Sequence, residues 1–590
     1  MMKTKIKGKN IIINNERLTI IFIASVIFLL NILHIKDIAI FSILDDEYGY
    51  WANAAYLSGL NWSDTVSKIP YYSYGYSILL VPLFWIFNNT IPMYKAAVIM
   101  NSIMLSLSFL LCYDIAKRLM DNANKFIVAG LSFVISVYPT YLIYANIAWS
   151  ECLLMFIFWL LTWCFLGLDE ESGDYKFYLI GFLSAYIYIV HQRTLGILIA
   201  SISVIIIMKI LNRINRKQLI KVVLPFLLLM IIGYYLKSNI QSNLWLNGSE
   251  ISINDYSGQI KKINQVFSIN GFIKVLKTFI GQFYYLGAVS FLIFYIGLYK
   301  LIKDNIKMII NLKKKNAVSS IGTAESYTYM FLLIAALSTV TISSVFFINP
   351  IRTNEIIFGR YNEVILGPIV LIGFVNLQKN RTISNKQFYI FVIVFSILIV
   401  VTDFIIKASG IVNHQDVDIL GMISTKLPYG IYLTGLFGII LFRLIFISFS
   451  KNNNKFIVGS LIVISCIFLI IAEVRINSLV KQNKDRINIF KVTQTIESSK
   501  EDLPIYFLLK DTDIPEPVEW NGRFIRDRSV SDCYQFILKD KNIKPINYEE
   551  LCRIRDRILV LTTKNMISSE CLNDYNLLDN DEGSYLFITK

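Results

Sequence analysis

The chain has 590 residues, 55% of them hydrophobic, and a formal net charge of +15 at pH 7. A soluble protein of this length would divide into domains with polar surfaces, whereas here long apolar stretches recur along most of the chain. The excess of lysine and arginine does not indicate a nucleic-acid partner, because these residues lie in short segments beside apolar stretches, where they orient membrane helices. The composition therefore predicts a polytopic α-helical membrane protein.

About thirteen apolar segments are long enough to cross a hydrocarbon core of roughly 30 Å. They lie at about 18–35, 92–117, 126–143, 148–168, 176–190, 194–212, 222–237, 279–300, 328–348, 363–378, 387–406, 430–449 and 456–473. The first follows a basic tail and lacks a small-residue cleavage site, which indicates a retained signal anchor. The apolar stretch 77–87 contains Pro82 and is too short to span, so we expect it at the membrane interface or re-entering the membrane.

The loops on the two sides of these spans differ in charge. Lysine and arginine concentrate in residues 1–17 and in the loops after the second, sixth, eighth, tenth and twelfth spans. The positive-inside rule places that side in the cytoplasm. We therefore expect a multi-pass protein of the cell membrane, with a cytoplasmic tail at 1–17, a transmembrane domain at 18–474 and an extracytoplasmic tail at 475–590. The first outer loop is then 36–91.

The tail alternates strand-like runs at 505–509, 558–562 and 585–588 with a helix-like stretch at 530–538. This alternation predicts a small extracytoplasmic α/β domain. Cys533, Cys552 and Cys571 lie in it at spacings that match no metal motif. Outside the cell they allow one disulfide and leave one thiol over.

Three consecutive carboxylates, Asp45, Asp46 and Glu47, stand where the first span leaves the membrane. Repulsion between neighbouring carboxylates in a partly dehydrated site raises the proton affinity of at least one of them, which suits a general base, and carboxylates also bind divalent metals. The alternative is an acidic cap on an interfacial helix, where the helix dipole favours negative charge.

Other outward-facing polar residues are candidates for binding. Tyr74 and Tyr76 suit either anchoring at the interface or packing against a sugar. Glu151 opens a span, as a functional carboxylate or as a partner of the helix dipole. Arg193 interrupts an apolar run, and the loop 349–363 carries Arg352 and Arg360; an arginine at such a position either snorkels or grips a phosphate.

The sequence resembles the GT-C superfamily of polyprenyl-phosphate-sugar-dependent glycosyltransferases, such as the protein O-mannosyltransferases and the aminoarabinose transferases of lipid A. The resemblance covers about residues 15–475 and rests on short motifs. They are Asp46-Glu47-x-x-Tyr50, the segment from Tyr74-Gly75-Tyr76 to Pro82, Ser150-Glu151, Arg193 and Phe358-Gly359-Arg360-Tyr361. Here Asp45 extends the family's Asp-Glu pair to a triplet, which leaves the base between Asp45 and Asp46.

The resemblance implies an inverting glycosyltransferase that moves a sugar from a polyprenyl-phosphate carrier to an extracytoplasmic glycan, lipid or protein, with membrane lipids around it. Asp46 would be the base, and Glu47 and Asp45 would orient the acceptor or, with Asp46, hold a divalent cation (Mg or Mn) where one is used. Arg193, Arg352 and Arg360 would bind the donor phosphate. The remaining residues expected to bind substrate are Tyr50, Tyr74, Tyr76, Glu151, Tyr361 and Glu363.

Three other classes compete with this interpretation. A flippase or transporter of lipid-linked glycans would place polar sites near the bilayer midplane and often has repeated halves, which this sequence lacks. A polysaccharide polymerase would share the lipid-linked substrate but usually has one dominant outer loop. A membrane acyltransferase would need an activated histidine, and only His191 is suitably placed. The acidic group and the arginine group on one face favour the glycosyltransferase.

Overall fold

The structure is a computed structural model. It describes residues 3–6, 9–12, 15–66, 70–120, 123–170, 173–246, 256–313, 323–380, 384–411, 423, 429–451, 453–487, 491–499, 501–512, 517–520, 523–566, 570–581 and 584–590. Most of the described chain is helical, and the strands are confined to the first residues and to the tail.

The helices of the membrane region follow one another with short connections. In chain order they are Asn15–Ile32, Leu44–Leu57, Ser63–Val66, Ser77–Ile86, Thr90–Leu119, Lys125–Ser136, Pro139–Ala145, Glu151–Leu166, Asp174–Val190, Leu195–Ile210, Arg216–Asn243, Tyr256–Val266, Ile269–Val289, Ile293–Lys313, Ala324–Phe346, Thr353–Ile356, Glu363–Asn380, Asn385–Ala408, Gly430–Ser450 and Asn454–Ile487. Two strands, β1 (Lys3–Ile6) and β2 (Lys9–Ile12), form an antiparallel hairpin before the first helix.

Each of the thirteen predicted spans coincides with helix, but they do not all form one long straight segment. Within the described ranges, eight helices are long and apolar enough to cross a membrane. Two further spans are bent helix pairs. The first is bent by 60° before Pro139, and the second is bent by 111° at Phe291 and Leu292, which adopt positive φ. The remaining three are shorter helices, Glu151–Leu166, Asp174–Val190 and Glu363–Asn380.

The predicted class is thereby confirmed: the chain is a multi-pass helical membrane protein. Among the described residues, eight helices meet the criteria of length and composition, or ten spans when each bent pair is one span, and the three shorter helices account for the other predicted spans. A break in the helix explains each of the two bent spans. The three shorter helices end close to polar turns, which limit their length. The segment 77–87 is a helix of 10 residues, Ser77–Ile86, and is one of the shorter apolar helices.

The tail contains the predicted α/β arrangement. The elements of the tail are the helices Lys491–Ser498, Asp527–Ile537 and Tyr548–Leu551 and the strands β3 (Ile505–Leu508), β4 (Pro517–Trp520), β5 (Arg523–Arg526), β6 (Ile543–Ile546), β7 (Leu559–Thr563), β8 (Tyr575–Asn580) and β9 (Ser584–Thr589). Five of the strands form one sheet in the order β6-β3-β7-β9-β8, with β3 parallel to β6 and β7 and β9 antiparallel to β7 and β8. Strands β4 and β5 form a separate antiparallel hairpin.

The last long helix, Asn454–Ile487, continues beyond the boundary expected at residue 474. No glycine or proline occurs between residues 474 and 487, so nothing in the sequence ends the helix where its apolar part ends. In the tail, Cys552 is disulfide-bonded, and Cys533 is a buried, reduced thiol. The side chain of Cys571 lies outside the described residues.

Candidate active site

The three consecutive carboxylates open one helix, Leu44–Leu57, which we call the acidic helix. Successive residues of an α-helix point about 100° apart, so neighbouring side chains face different surroundings. Asp45 faces the tail, where it accepts hydrogen bonds from Ser529 and Arg526. Asp46 faces Arg360, and Glu47 points into the protein, where it is fully buried.

Glu47 fixes the start of the acidic helix. Its carboxylate accepts hydrogen bonds from the backbone N–H groups of Ser42 at 2.6 Å and Ile43 at 2.7 Å. It also accepts one from the N–H of Ala148 at 2.9 Å and one from the Tyr94 hydroxyl. Burial raises the pKa of Glu47 to about 7, against the opposing effect of these hydrogen bonds. These contacts are all internal, and contact of Glu47 with the acceptor stays a prediction.

Asp46 belongs to a chain of alternating charges. Arg360 donates from Nη1 to Asp46 and from Nε to Glu151, and Arg193 donates from Nη2 to the same Glu151 oxygen at 2.9 Å. The hydroxyl of Tyr72 donates to the other Asp46 oxygen at 2.6 Å. Although burial disfavours its charge, Glu151 and Asp46 hold the pKa of Arg360 well above its ordinary value.

The guanidinium groups of Arg360 and Arg193 each stack on an aromatic ring. Arg360 lies 4.0 Å from the ring centre of Trp149, and Arg193 lies 4.7 Å from that of Tyr361. Three separate parts of the chain supply these charged side chains. Asp46 comes from the acidic helix, Arg193 from the turn before helix Leu195–Ile210, and Arg360 from the loop 349–362. Such stacking adds cation–π attraction and restricts the rotamers of both arginines.

A cavity of about 450 Å³ lies beside this cluster. Asp46, Arg193, Arg352, Arg360 and Tyr361 all line it, so it brings together one predicted catalytic residue, the three predicted phosphate ligands and one predicted substrate residue. A volume of this order is within the range of small-molecule sites. Arg352 is oriented by Glu355, to which its Nε donates at 2.8 Å.

Several buried polar atoms of the cavity wall have no hydrogen-bond partner among the described residues. They are Nε and Nη1 of Arg193, Oγ1 of Thr339 and Oγ of Ser343. The Arg193 side chain is only 6% exposed. Because buried donors without partners are rare and costly, these atoms indicate a polar ligand in the cavity. The guanidinium donors in particular suit an anion.

Five of the six residues predicted to bind substrate do not line the cavity. The hydroxyl of Tyr50 bonds to Ser150 at 2.9 Å, that of Tyr74 to the Gly233 carbonyl at 2.5 Å, and that of Tyr76 to Asn101 at 3.1 Å. None of the three lines the cavity. Their hydroxyls hold helices together, and contact of these three residues with the substrate stays a prediction.

Glu363 is also away from the cavity wall. It is fully buried, and its carboxylate accepts hydrogen bonds from Tyr138, Tyr144 and Tyr285, while its carbonyl accepts one from Tyr141 at 2.9 Å. The carboxylate therefore anchors the end of the loop that carries Arg360. Glu151 does not line the cavity either, but it holds the two arginines that do.

The three carboxylates of the triplet do not converge on one point, and the divalent cation stays a prediction. The side chains of Asp45, Asp46 and Glu47 point to three separate sets of partners, and the described part of the chain contains no group of three or more histidine, cysteine, aspartate or glutamate side chains placed to hold a metal. A divalent cation here would have to use Asp46 without its two neighbours.

Two contributors to the site were not singled out in the sequence as site residues. Tyr72 donates to Asp46, and Trp149 lies under Arg360. Tyr72 belongs to the tyrosine-rich run 71–76, and Trp149 precedes Ser150-Glu151. Their proximity to recognised motifs is the one sequence signal that pointed toward them.

No family model matches the chain, and no curated protein matches it. Among solved structures, the chain is similar to ArnT from Cupriavidus metallidurans bound to undecaprenyl phosphate, with a TM-score of 0.52 and 9% sequence identity over 97% of this chain and 98% of that one. ArnT from the same organism in the apo state gives a TM-score of 0.51 and 10% identity over 98% of each chain. The likeness covers nearly all of both chains, and this chain therefore has the fold of ArnT.

Proposed function

We propose that the protein is an integral-membrane glycosyltransferase that moves a sugar from a polyprenyl-phosphate carrier to an extracytoplasmic acceptor of the cell envelope, a glycan, lipid or protein. The observation that supports this most strongly is the cavity in which Asp46 and a guanidinium with two unused donors, that of Arg193, line the same wall. The fold shared with ArnT, one of whose structures holds undecaprenyl phosphate, agrees with a lipid phosphate as ligand.

In the proposed reaction the acceptor hydroxyl attacks the anomeric carbon of the sugar. The new carbon–oxygen bond forms as the bond to the phosphate oxygen breaks, and that oxygen keeps the electron pair. Asp46 takes the proton of the hydroxyl as general base. Its carboxylate is 24% exposed and held by Arg360 and Tyr72, so it is oriented before the acceptor arrives.

The leaving phosphate gains negative charge as the bond breaks, and fixed cations stabilise that charge. Arg193 is the best placed ligand, because Nε and Nη1 have no partner among the residues described. Arg360 is already shared between Asp46 and Glu151, so its main contribution is to hold the base. Arg352 lines the same cavity and adds positive charge.

We place this chemistry on the extracytoplasmic side, with the N-terminus in the cytoplasm. Lysine and arginine concentrate in the loops of the opposite side, and the disulfide-bonded Cys552 fits a tail in an oxidising compartment. Nucleotide sugars of the cytoplasm would not reach such a site, whereas a lipid-linked donor would.

The experiment is sugar transfer by the purified protein, supplied with radiolabelled polyprenyl-phosphate sugars and envelope extract as acceptor. We expect transfer by the wild type and a loss of about 100-fold or more in Asp46→Asn, which removes the base. Asp403→Asn is the matched control, because Asp403 does not line the cavity and pairs with Lys407 within the helix Asn385–Ala408. Wild-type rates in Asp46→Asn would contradict the assignment. Movement of the lipid-linked sugar across vesicles without transfer would support the flippase instead.

Orientation is tested by cysteine labelling of intact cells. Ser58→Cys, just after the acidic helix, should react with an impermeant maleimide, and Lys307→Cys should react only after the cells are opened. The wild type measures the background from native cysteines. The opposite pattern would invert the topology.

A further inference from the structure

The tail makes contact with the membrane region next to the candidate base. Asp45 accepts a hydrogen bond from Ser529 Oγ at 2.7 Å and one from Arg526 Nη1 at 3.2 Å. Ser529 belongs to the helix Asp527–Ile537, which we call the docking helix, and Arg526 is its N-cap residue. Because Asp45 and Asp46 are consecutive in one helical turn, a contact that fixes the first also restricts the second.

The two contacts differ in what they contribute. The Arg526 side chain is 65% exposed, and ion pairs of exposed groups are weak because water screens them. Ser529 is only 3% exposed, and its bond ends on a carboxylate. Hydrogen bonds to charged groups in buried positions are the stronger kind. Ser529 is therefore the contact that holds Asp45.

The far end of the docking helix is packed against the same region. Phe536 enters an aromatic cluster, with ring centres 4.6 Å from Phe41 and 5.1 Å from Trp51 of the acidic helix. Just beyond it, the carbonyl of Lys539 accepts a hydrogen bond from Trp62 at 2.9 Å. The docking helix is thus attached at both ends, and its position is defined relative to the acidic helix.

The opposite faces of the acidic helix are held by other parts of the protein. Arg360 binds Asp46, and the backbone N–H of Ala148 binds Glu47. The three consecutive carboxylates thus connect one helical turn to the tail, to the loop 349–362 and to the segment before Glu151. Without the tail contact, Arg360 and Tyr72 would still hold Asp46, but its helical turn would lose one of these three attachments.

We propose that Ser529 is a positioning residue, through which the tail sets the orientation of Asp46 by way of Asp45. The proposal rests on the proposed function and gives the tail a role in it: docking of the tail supports turnover and leaves binding of the lipid donor unchanged. Donor binding is separate because Arg193 and Arg352 line the cavity, whereas Ser529 does not.

The test compares full-length variants in the transfer assay. Ser529→Ala should lower kcat on the order of 10- to 100-fold, the range for a misplaced catalytic group, with the KM for the lipid-linked sugar unchanged. Ser529→Thr keeps the hydroxyl and should restore kcat. Asp45→Asn should lower kcat as well, and the double variant should fall no further, because both changes remove one contact. The matched control is Ser531→Ala, since Ser531 is buried on the same helix and its Oγ has no partner among the described residues.

Each outcome bears on one of the two proposals. If the wild type transfers no sugar, the proposed function fails and the role of Ser529 fails with it. If the wild type is active and both Ser529→Ala and Asp45→Asn keep its kcat, only the positioning role is overturned. A change in KM without a change in kcat, or equal losses in Ser529→Ala and Ser529→Thr, would also overturn it. Should Ser529→Ala not fold, Asp45→Asn and Ser529→Thr still decide the question.

Discussion

Replacing Arg193 with lysine keeps the positive charge and removes the planar set of donors. In the structure Nη2 of Arg193 donates to Glu151 at 2.9 Å, and Nε and Nη1 have no partner in the described part of the chain. A lysine has a single nitrogen, which Glu151 would hold. The variant therefore loses both donors that are available to a phosphate while the cavity keeps its charge.

The size of the effect follows from those two donors. Hydrogen bonds to charged groups contribute roughly 1.5–3 kcal/mol each, and the ammonium group still attracts the phosphate at short range. We therefore expect a net loss of about 2–3 kcal/mol, less than two full bonds. This corresponds to a Kd for undecaprenyl phosphate that is about 30- to 150-fold higher.

The assay is equilibrium binding of undecaprenyl phosphate to the purified protein in nanodiscs, with undecaprenol as the uncharged comparison. Arg193→Lys should weaken binding of the phosphate and leave binding of undecaprenol unchanged. Arg443→Lys is the control, because Arg443 lies over Phe388, away from the cavity wall. Binding of undecaprenyl phosphate by Arg193→Lys with the wild-type Kd would refute the assignment of Arg193.

Three further predictions concern the tail and are measured by thermal unfolding in detergent. Phe536→Ala should destabilise the docked tail by about 3–5 kcal/mol, because it empties the aromatic cluster beside Trp51. Asp532→Asn should raise the Tm at about pH 8 and change it less near pH 4. Burial raises the pKa of Asp532 well above 3.8, so the folded state binds this proton more tightly than the unfolded chain does. The wild type therefore loses stability as the pH rises. Cys552→Ser should lower stability by about 2–4 kcal/mol, as should reduction of the wild type, because the disulfide restricts the unfolded chain.

Each of these has a matched control. Phe267→Ala removes an aromatic ring that is 86% exposed and should change little. Asp502→Asn changes an exposed carboxylate of the tail whose pKa is lowered by Lys541, so it should not stabilise the protein at high pH. Cys466→Ser removes an exposed free thiol. A Tm of Asp532→Asn equal to that of the wild type at every pH would contradict the account of that buried carboxyl.

The membrane class and the helical segments could be predicted from the sequence because a hydrocarbon core imposes a simple requirement of apolar length. The strand-like runs of the tail were also predictable, since alternation and β-branched residues are local signals. Glycosyltransfer remains a proposal, because Asp46, Arg193 and Arg360 indicate a class of chemistry and no substrate.

The sequence by itself predicted that carboxylates and arginines gather on one side of the membrane, because the distribution of charge among short loops is a local property. Only the tertiary structure decided which of them act together. Asp46 and Arg360 are 314 residues apart in sequence, yet they are bonded, while the neighbours Asp45 and Glu47 point to the tail and to the interior. The reason is geometric: a helix turns about 100° per residue, so adjacent side chains diverge, and only packing of distant segments brings a base and a phosphate ligand to one cavity.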